Sequence, residues 1–204
     1  SIAKEVKATL VYISTAGIFN GNQDTYTDWD LPDPINTYGN SKYMGELYVV
    51  NNMDKYFVCR AGWMMGGGPN KDKKFVNKII SQINNGKKNL NIVYDKMGTP
   101  TYTHAFASNV YRLLETPFYG VYNMVCPGLT SRLEVAKEIL KILNKSDKIS
   151  IKEVSSEYFL KEYFANRPKS EMLVNTKLNL RKLDLMPEWK ISLKEYIEIY
   201  FPDS

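Results

Sequence analysis

The sequence is poor in the residues that build metal sites and disulfide frameworks. Its 204 residues include one histidine, His104, and two cysteines, Cys59 and Cys126. A single histidine excludes a multi-histidine metal centre, and two cysteines in separate apolar runs are typical of small buried hydrophobic residues. We therefore predict no metal site and no disulfide framework. For His104, at the start of a predicted helix, a structural role is favoured over a role as a general base.

Two classes of partner are disfavoured in the same way. No stretch of about 18 apolar residues occurs, so we predict no membrane partner and expect a soluble, cytoplasmic protein. The 27 basic residues exceed the 22 acidic ones only mildly. Lysine clusters such as 71–74 and 87–88 lack the interleaved aromatics that stack on bases, so we predict no nucleic-acid partner. A basic rim would still suit an anionic substrate.

The sequence does contain apolar strands alternating with amphipathic helices. Such crossover units predict an α/β protein with a parallel sheet and helices on its faces, and the chain is long enough to bury a core. The predicted strands are 7–14 (buried), 56–60, 91–94, 121–125 and 149–154. The predicted helices are 38–52, 73–85, 104–114, 131–143, 157–164 and a last one that begins at Ser192.

Local signals mark the ends of these elements. Ser131 and Ser192 are each followed three residues later by Glu, which predicts a capping box at the start of a helix. Gly86 is a predicted helix stop, and residues 98–101 and 66–68 are a predicted turn and loop. The aspartates of the 19–36 loop match no calcium-loop spacing, so we predict that they form turns.

One motif combines a phenol with a cation. Tyr38 and Lys42 lie one helical turn apart, so both side chains share a face of the predicted helix. An ammonium beside a phenol favours the phenolate, which suits Tyr38 to proton transfer. Thr15, at the end of the first strand, can hydrogen-bond an oxygen that develops negative charge. Composition alone gives roughly 1.6 such Tyr/Lys matches, so a packed Tyr and a solvated Lys remain an equal alternative.

Several segments, in order along nearly the whole chain, resemble the extended short-chain dehydrogenase/reductase superfamily, and within it the dTDP-4-dehydrorhamnose reductase family. These segments are YISTAGIF (12–19), PINTYGNSK (34–42) with GE (45–46), RAGW (60–63), DKMGTPT (95–101), GVYN (120–123) and RPKS (167–170). The resemblance implies that Thr15, Tyr38 and Lys42 are catalytic, with Tyr38 and Lys42 also binding the cofactor, NADPH or NADH. It further implies that Thr15, Ala16, Trp63 and Arg167 contact a nucleotide-sugar substrate, and that the protein can be a homodimer.

The chain departs from the family pattern in three ways. The family usually has Asp beside the sugar where this chain has Ala16, and Gln where it has Lys96. The Gly-rich turn that holds the dinucleotide pyrophosphate does not occur. We therefore expect an incomplete Rossmann-like, doubly wound parallel sheet whose N-terminal half is absent, which should not bind NAD(P)H unaided. Residues 1–148 would be the rest of that domain, and residues 149–204 a small C-terminal α+β substrate lobe, with some interleaving.

The resemblance implies a function and leaves two alternatives. The function is NAD(P)H-dependent reduction of the 4-keto group of a nucleotide-linked 6-deoxy sugar, with dTDP-4-dehydrorhamnose giving dTDP-L-rhamnose. A nucleotide-sugar epimerase or dehydratase of the same superfamily would use the same Tyr38/Lys42 pair. A non-catalytic regulatory subunit with this fold is the third hypothesis, favoured by Ala16.

Overall fold

Strands and helices alternate along the computed structural model, which describes residues 2–161 and 165–202. The strands are β1 (Leu10–Thr15), β2 (Tyr56–Ala61), β3 (Trp63–Met65), β4 (Asn89–Val93), β5 (Pro100–Tyr102), β6 (Gly120–Met124) and β7 (Ser150–Val154). The helices are α1 (Ile2–Glu5), α2 (Thr37–Asn52), α3 (Gly68–Lys71), α4 (Phe75–Asn84), α5 (Thr103–Leu114), α6 (Arg132–Ile142), α7 (Thr176–Leu180) and α8 (Trp189–Tyr200). Short 3-10 turns follow β1 and β7, at Ala16–Ile18 and Ser156–Phe159.

The strands pair in parallel, which confirms the predicted α/β class. A three-stranded sheet has the order β1-β2-β6, and two smaller parallel pairs are β3-β5 and β4-β7. Because the strands of a parallel sheet end at the same edge, the residues that follow β1 and β2 are brought together there. β4 and β7 come from opposite sides of the predicted 148/149 division, and that division stays a prediction.

The main core lies between the sheet and the amphipathic helices. In α4, the predicted apolar positions Val76, Ile79, Ile80 and Ile83 are all buried. The helix ends before Gly86, whose φ of +83° is the left-handed conformation typical of a helix stop, as predicted. α6 and α8 complete the core with a second set of buried aliphatic and aromatic side chains.

The structure corrects four local predictions. β1 was predicted to be buried, but it is an edge strand among the described residues, and Ile13 is 42% exposed. Residues 98–101 were predicted to be a turn, but Pro100–Tyr102 form β5, because they find a distant partner in β3. Gly68 starts the short helix α3 where a loop was predicted. Residues 157–164 were predicted to be helical; the described ones begin with the 3-10 turn at Ser156–Phe159, and 162–164 lie outside the described residues.

The last helix also begins earlier than predicted. α8 starts at Trp189, because the side chain of Glu188 accepts a hydrogen bond from Lys190 N. Ser192 lies inside this helix, fully buried, and its hydroxyl oxygen accepts a hydrogen bond from the Cys126 thiol at 3.2 Å. The prediction that Ser192 caps α8 is therefore wrong. Within the described part of the chain, no helix is long and apolar enough to cross a membrane.

Candidate active site

Thr15 ends β1 and caps the turn that follows. Its Oγ1 accepts a hydrogen bond from Gly17 N at 3.1 Å. A hydroxyl has one proton to donate as well as lone pairs to accept with. The Thr15 hydroxyl can therefore hold the turn and still donate a hydrogen bond to a bound ligand.

The start of α2 places Tyr38 next to this turn. The Asn36 side chain accepts a hydrogen bond from Gly39 N at 2.8 Å, which fixes the first helical turn. A Cβ on Gly39 would collide with the carbonyl oxygen of Gly17, so a glycine is needed for α2 to approach the turn this closely. Tyr38 lies in that first helical turn with 62% of its surface exposed. Its hydroxyl is thus available to a ligand.

Lys42 is anchored to β1. Its Nζ donates a hydrogen bond to the carbonyl oxygen of Ile13 at 2.6 Å and lies 4.4 Å from the centre of the Tyr12 ring. In return, the Tyr12 hydroxyl donates to the carbonyl oxygen of Lys42 at 3.1 Å. An ammonium carries three protons, so Lys42 keeps donors for another partner. Its predicted effect on Tyr38 stays a prediction.

Four of the six predicted site residues line one cleft of about 820 Å³. They are Thr15, Tyr38, Trp63 and Arg167. Lys42 and Ala16 are not among the described residues that line it. Ala16 is 1% exposed and packs in an apolar cluster with Phe19 and Tyr26. The proposed substrate contact of Ala16 therefore stays a prediction, and its side chain points into that cluster.

Trp63 is held in the cleft by two residues that the sequence analysis did not single out. Its Nε1 donates a hydrogen bond to Glu171 Oε2 at 2.7 Å. The guanidinium carbon of Arg132 lies 4.5 Å from the centre of the indole ring. Gly98 packs closely against the indole ring, and a Cβ at this position would collide with it. Glu171 directly follows the 167–170 segment, which is the one sequence signal that could have drawn attention to it.

The cleft is strongly basic. Its lining includes five lysines and two arginines against one carboxylate, that of Glu171; the cations are Lys73, Lys74, Lys78, Lys87, Lys96, Arg132 and Arg167. Lys96 donates a hydrogen bond to the carbonyl oxygen of Arg167 at 2.9 Å. Burial lowers the pKa of Lys96, while the carboxylates of Asp95 and Glu171 oppose that shift. A cleft lined by one sign of charge concentrates ligands of the opposite sign.

Two aspartates of the 19–36 loop accept hydrogen bonds within the protein: Asp30 forms a turn with Thr27, as predicted, whereas Asp28, also predicted to form a turn, joins distant segments. Asp28 is buried and accepts hydrogen bonds from Asn123 N at 2.7 Å and Lys177 N at 2.9 Å. The hydrogen bonds of Thr27 lower the pKa of Asp30. In residues 2–161 and 165–202, no group of three or more His, Cys, Asp or Glu side chains is arranged to hold a metal ion.

The helix that carries Tyr38 is joined to the central strand by a buried ion pair. Arg60 in β2 and Glu46 in α2 are 4% and 2% exposed, and Arg60 Nη2 lies 2.8 Å from Glu46 Oε2. Arg60 Nε donates to the same carboxylate at 3.1 Å. This pair fixes α2 relative to the sheet behind the cleft.

Known proteins resemble this chain over almost its whole length. Residues 1–201 match the family described as RmlD substrate binding domain. The spore coat polysaccharide biosynthesis protein SpsK of Bacillus subtilis (strain 168) is 30% identical over 196 residues, which cover 95% of this chain and 65% of SpsK.

Two solved structures share the fold closely. The dTDP-4-dehydrorhamnose reductase from Yersinia enterocolitica has a TM-score of 0.89 and 34% identity, covering 98% of this chain and 69% of that one. The enzyme of the same name from Bacillus anthracis str. Ames, in complex with NADP, has a TM-score of 0.88 and 33% identity, covering 97% and 68%. This chain thus spans about two thirds of the length of the proteins it matches.

Proposed function

This chain belongs to the RmlD substrate binding domain family, and on that premise we propose that the whole protein is an NAD(P)H-dependent reductase of a nucleotide-linked 6-deoxy-4-keto sugar. The substrate we propose is dTDP-4-dehydrorhamnose, with dTDP-L-rhamnose as product. The names of the similar solved structures support this choice.

The observation that carries the proposal is that two residues with hydroxyl groups line one cleft. Thr15 and Tyr38 come from different elements, 23 positions apart, and both line the cleft. When a ketone is reduced, its oxygen gains negative charge and then a proton. Tyr38 would donate that proton, and the Thr15 hydroxyl would donate a hydrogen bond that stabilises the developing charge.

The residues present fit a nicotinamide cofactor beside this pair. Lys42 uses one of its protons on Ile13 O and keeps two donors for the hydroxyls of a ribose. Tyr38 is exposed enough to reach the same sugar. Bound NADPH or NADH would supply the hydride. Lys42 and Tyr38 would hold and orient the cofactor through its ribose.

The charge of the cleft supports a nucleotide-linked substrate. A nucleoside diphosphate sugar carries two negative charges on its pyrophosphate, and the lysines of the cleft lining provide complementary charge. Trp63, fixed by Glu171 and Arg132, presents an aromatic wall on which a sugar ring can pack.

The test is a cofactor assay on the full-length protein with dTDP-4-dehydrorhamnose and NADPH or NADH. We expect a fall in the absorbance of the reduced nicotinamide that corresponds to one cofactor molecule oxidised per dTDP-L-rhamnose formed. An epimerase or dehydratase returns the hydride to the sugar, so conversion of the sugar without net loss of reduced cofactor would identify that chemistry instead. Binding of the sugar nucleotide with neither change would overturn the proposal in favour of a non-catalytic role.

A further inference from the structure

The single carboxylate among the described residues of the cleft lining is held in a defined position. Glu171 N donates a hydrogen bond to Met97 O at 2.9 Å, which fixes the backbone. Glu171 Oε2 accepts the indole proton of Trp63 at 2.7 Å, which fixes one side of the carboxylate. The side chain is half-buried rather than free in solvent. These two hydrogen bonds hold the Glu171 backbone and Oε2, so that the second carboxylate oxygen, Oε1, is left to face the cleft.

Oε1 faces the turn that carries Thr15. The point that a Cβ on Gly17 would occupy is 3.5 Å from Glu171 Oε1 and 3.5 Å from Thr15 Oγ1. The two oxygens therefore flank the same small space, and Gly17 leaves that space open. In the part of the chain that the structure describes, Oε1 accepts no hydrogen bond and Glu171 forms no salt bridge.

A carboxylate oxygen with no protein donor is a strong acceptor for a hydroxyl group. Hydrogen bonds to charged groups contribute more binding free energy than neutral ones, and they discriminate against ligands that lack the donor. A 6-deoxy-4-keto sugar offers hydroxyl donors at C2 and C3, and C3 is bonded to the ketone carbon. A pyrophosphate offers no hydroxyl donor, and the negative charge of Glu171 would repel it.

We propose that Glu171 determines specificity for the sugar, by accepting through Oε1 a hydrogen bond from a hydroxyl of the bound nucleotide sugar. The proposal rests on the proposed function, because it assigns a role in the same substrate site. Glu171 thereby links two tasks. Oε2 positions Trp63, and Oε1 accepts the hydrogen bond from the sugar hydroxyl.

The rival explanation is that Glu171 only orders Trp63 and offsets the positive charge of the cleft. The two explanations differ in what they predict for ligands with and without the sugar. In Glu171→Gln, which keeps an acceptor for Trp63 Nε1, a structural role changes only the charge of the cleft and so affects dTDP and dTDP-L-rhamnose alike. A sugar contact affects only dTDP-L-rhamnose. The informative quantity is therefore the ratio of the two dissociation constants.

Two variants of the full-length protein test this ratio by calorimetry. Glu171→Gln keeps an amide oxygen for Trp63 Nε1 and removes the charge that Oε1 offers. Gly17→Ala adds a methyl at ordinary van der Waals distance from Glu171 Oε1 and Thr15 Oγ1, and so fills the space between them. Glu198→Gln, at an exposed pair with Lys194 on α8, is the matched control.

We expect wild type to bind dTDP-L-rhamnose more tightly than dTDP, and each cleft variant to reduce that preference by about tenfold or more with dTDP affinity little changed. The control should keep the wild-type ratio. A ratio that Glu171→Gln leaves unchanged overturns the proposal, as does a wild type that shows no preference for the sugar.

The outcome separates this proposal from the function on which it rests. If the wild type oxidises the cofactor and Glu171→Gln leaves the ratio of the two dissociation constants unchanged, the role of Glu171 is rejected and the reductase function is retained. Absence of cofactor oxidation in a wild type that prefers dTDP-L-rhamnose, with the preference lost in both cleft variants, rejects the reductase and keeps Glu171 as the sugar-binding residue.

Discussion

At the scale of single residues, we propose that Thr15 performs two tasks with one hydroxyl. Its lone pair holds the Gly17 amide, and its proton is available to a ketone oxygen. Replacing Thr15 by valine keeps the shape and removes both, so we expect kcat to fall about 100-fold, as is typical when one donor to a developing oxyanion is lost. Thr15→Ser should retain most of the activity. A steady-state comparison of the two variants checks this, and equal kcat values would contradict the role.

The buried thiols give a second prediction at this scale. Burial raises the pKa of Cys59 to about 12, and it also raises that of Cys126. Because the thiolate is the reactive form, we expect iodoacetamide to leave both thiols of the native protein unmodified near neutral pH and to modify both after unfolding. Mass spectrometry of the two samples checks this, and rapid modification of native Cys59 would contradict it.

The same shift has a consequence for stability. In the unfolded chain the Cys59 thiol loses its proton near pH 8.5, roughly its ordinary value, but in the folded protein it does so only near pH 12. The stability that the neutral thiol gives the folded protein is therefore fully present below about pH 8.5 and is lost as the pH rises towards 12. The melting temperature should fall across that window, and Cys59→Ala should make the fall less steep.

At the scale of elements, local sequence predicted most helices but not every helix start. The predicted helix start at Ser131 is confirmed, because Ser131 Oγ accepts a hydrogen bond from Glu134 N at 3.1 Å, while the Glu134 side chain accepts from Lys137 Nζ. The same pattern at Ser192 gave a wrong helix start, because Glu188 caps α8 one turn earlier. β5 was missed because three residues carry too little periodicity, and its pairing with β3 is set by tertiary structure.

The confirmed cap is open to a direct test. Ser131→Ala removes the acceptor for Glu134 N, and we expect the free energy of unfolding to fall by about 1 kcal/mol. Ser108→Ala is the matched control, because that hydroxyl is exposed inside α5 and donates to the carbonyl oxygen of His104. Its effect should stay within about 0.5 kcal/mol. Denaturant unfolding compares the two, and equal effects would contradict the capping role.

We expect the buried ion pair between α2 and β2 to contribute more to stability than the Ser131 cap. Arg60→Met would leave the Glu46 carboxylate buried without its partner, so we expect a loss of about 3–5 kcal/mol in stability. Replacing both residues with Glu46→Leu and Arg60→Met removes the unpaired charge and should recover most of that loss. Thermal unfolding of the single and double variants checks this. A double variant less stable than the single one would contradict the account.

At the scale of the whole molecule, residues far apart in sequence assemble the site, and this limited what the sequence could predict. Strands, crossover helices and the Thr15/Tyr38 pair follow from local patterns and from the resemblance to a known family. The role of Glu171 does not, because it depends on a hydrogen bond to Trp63 across 108 positions. The carboxylate of Asp28 likewise accepts from Asn123 and Lys177, which local sequence cannot connect.

In the proposed reaction, Tyr38 donates a proton during reduction of a nucleotide-linked ketone. The most direct measurement is the rate of cofactor oxidation by the full-length protein saturated with dTDP-4-dehydrorhamnose, for wild type, Tyr38→Phe and the control Tyr48→Phe, an exposed tyrosine of the same helix. We predict a loss of about two orders of magnitude or more in kcat for Tyr38→Phe alone, with substrate affinity retained. A Tyr38→Phe variant that turns over at the wild-type rate would contradict the account.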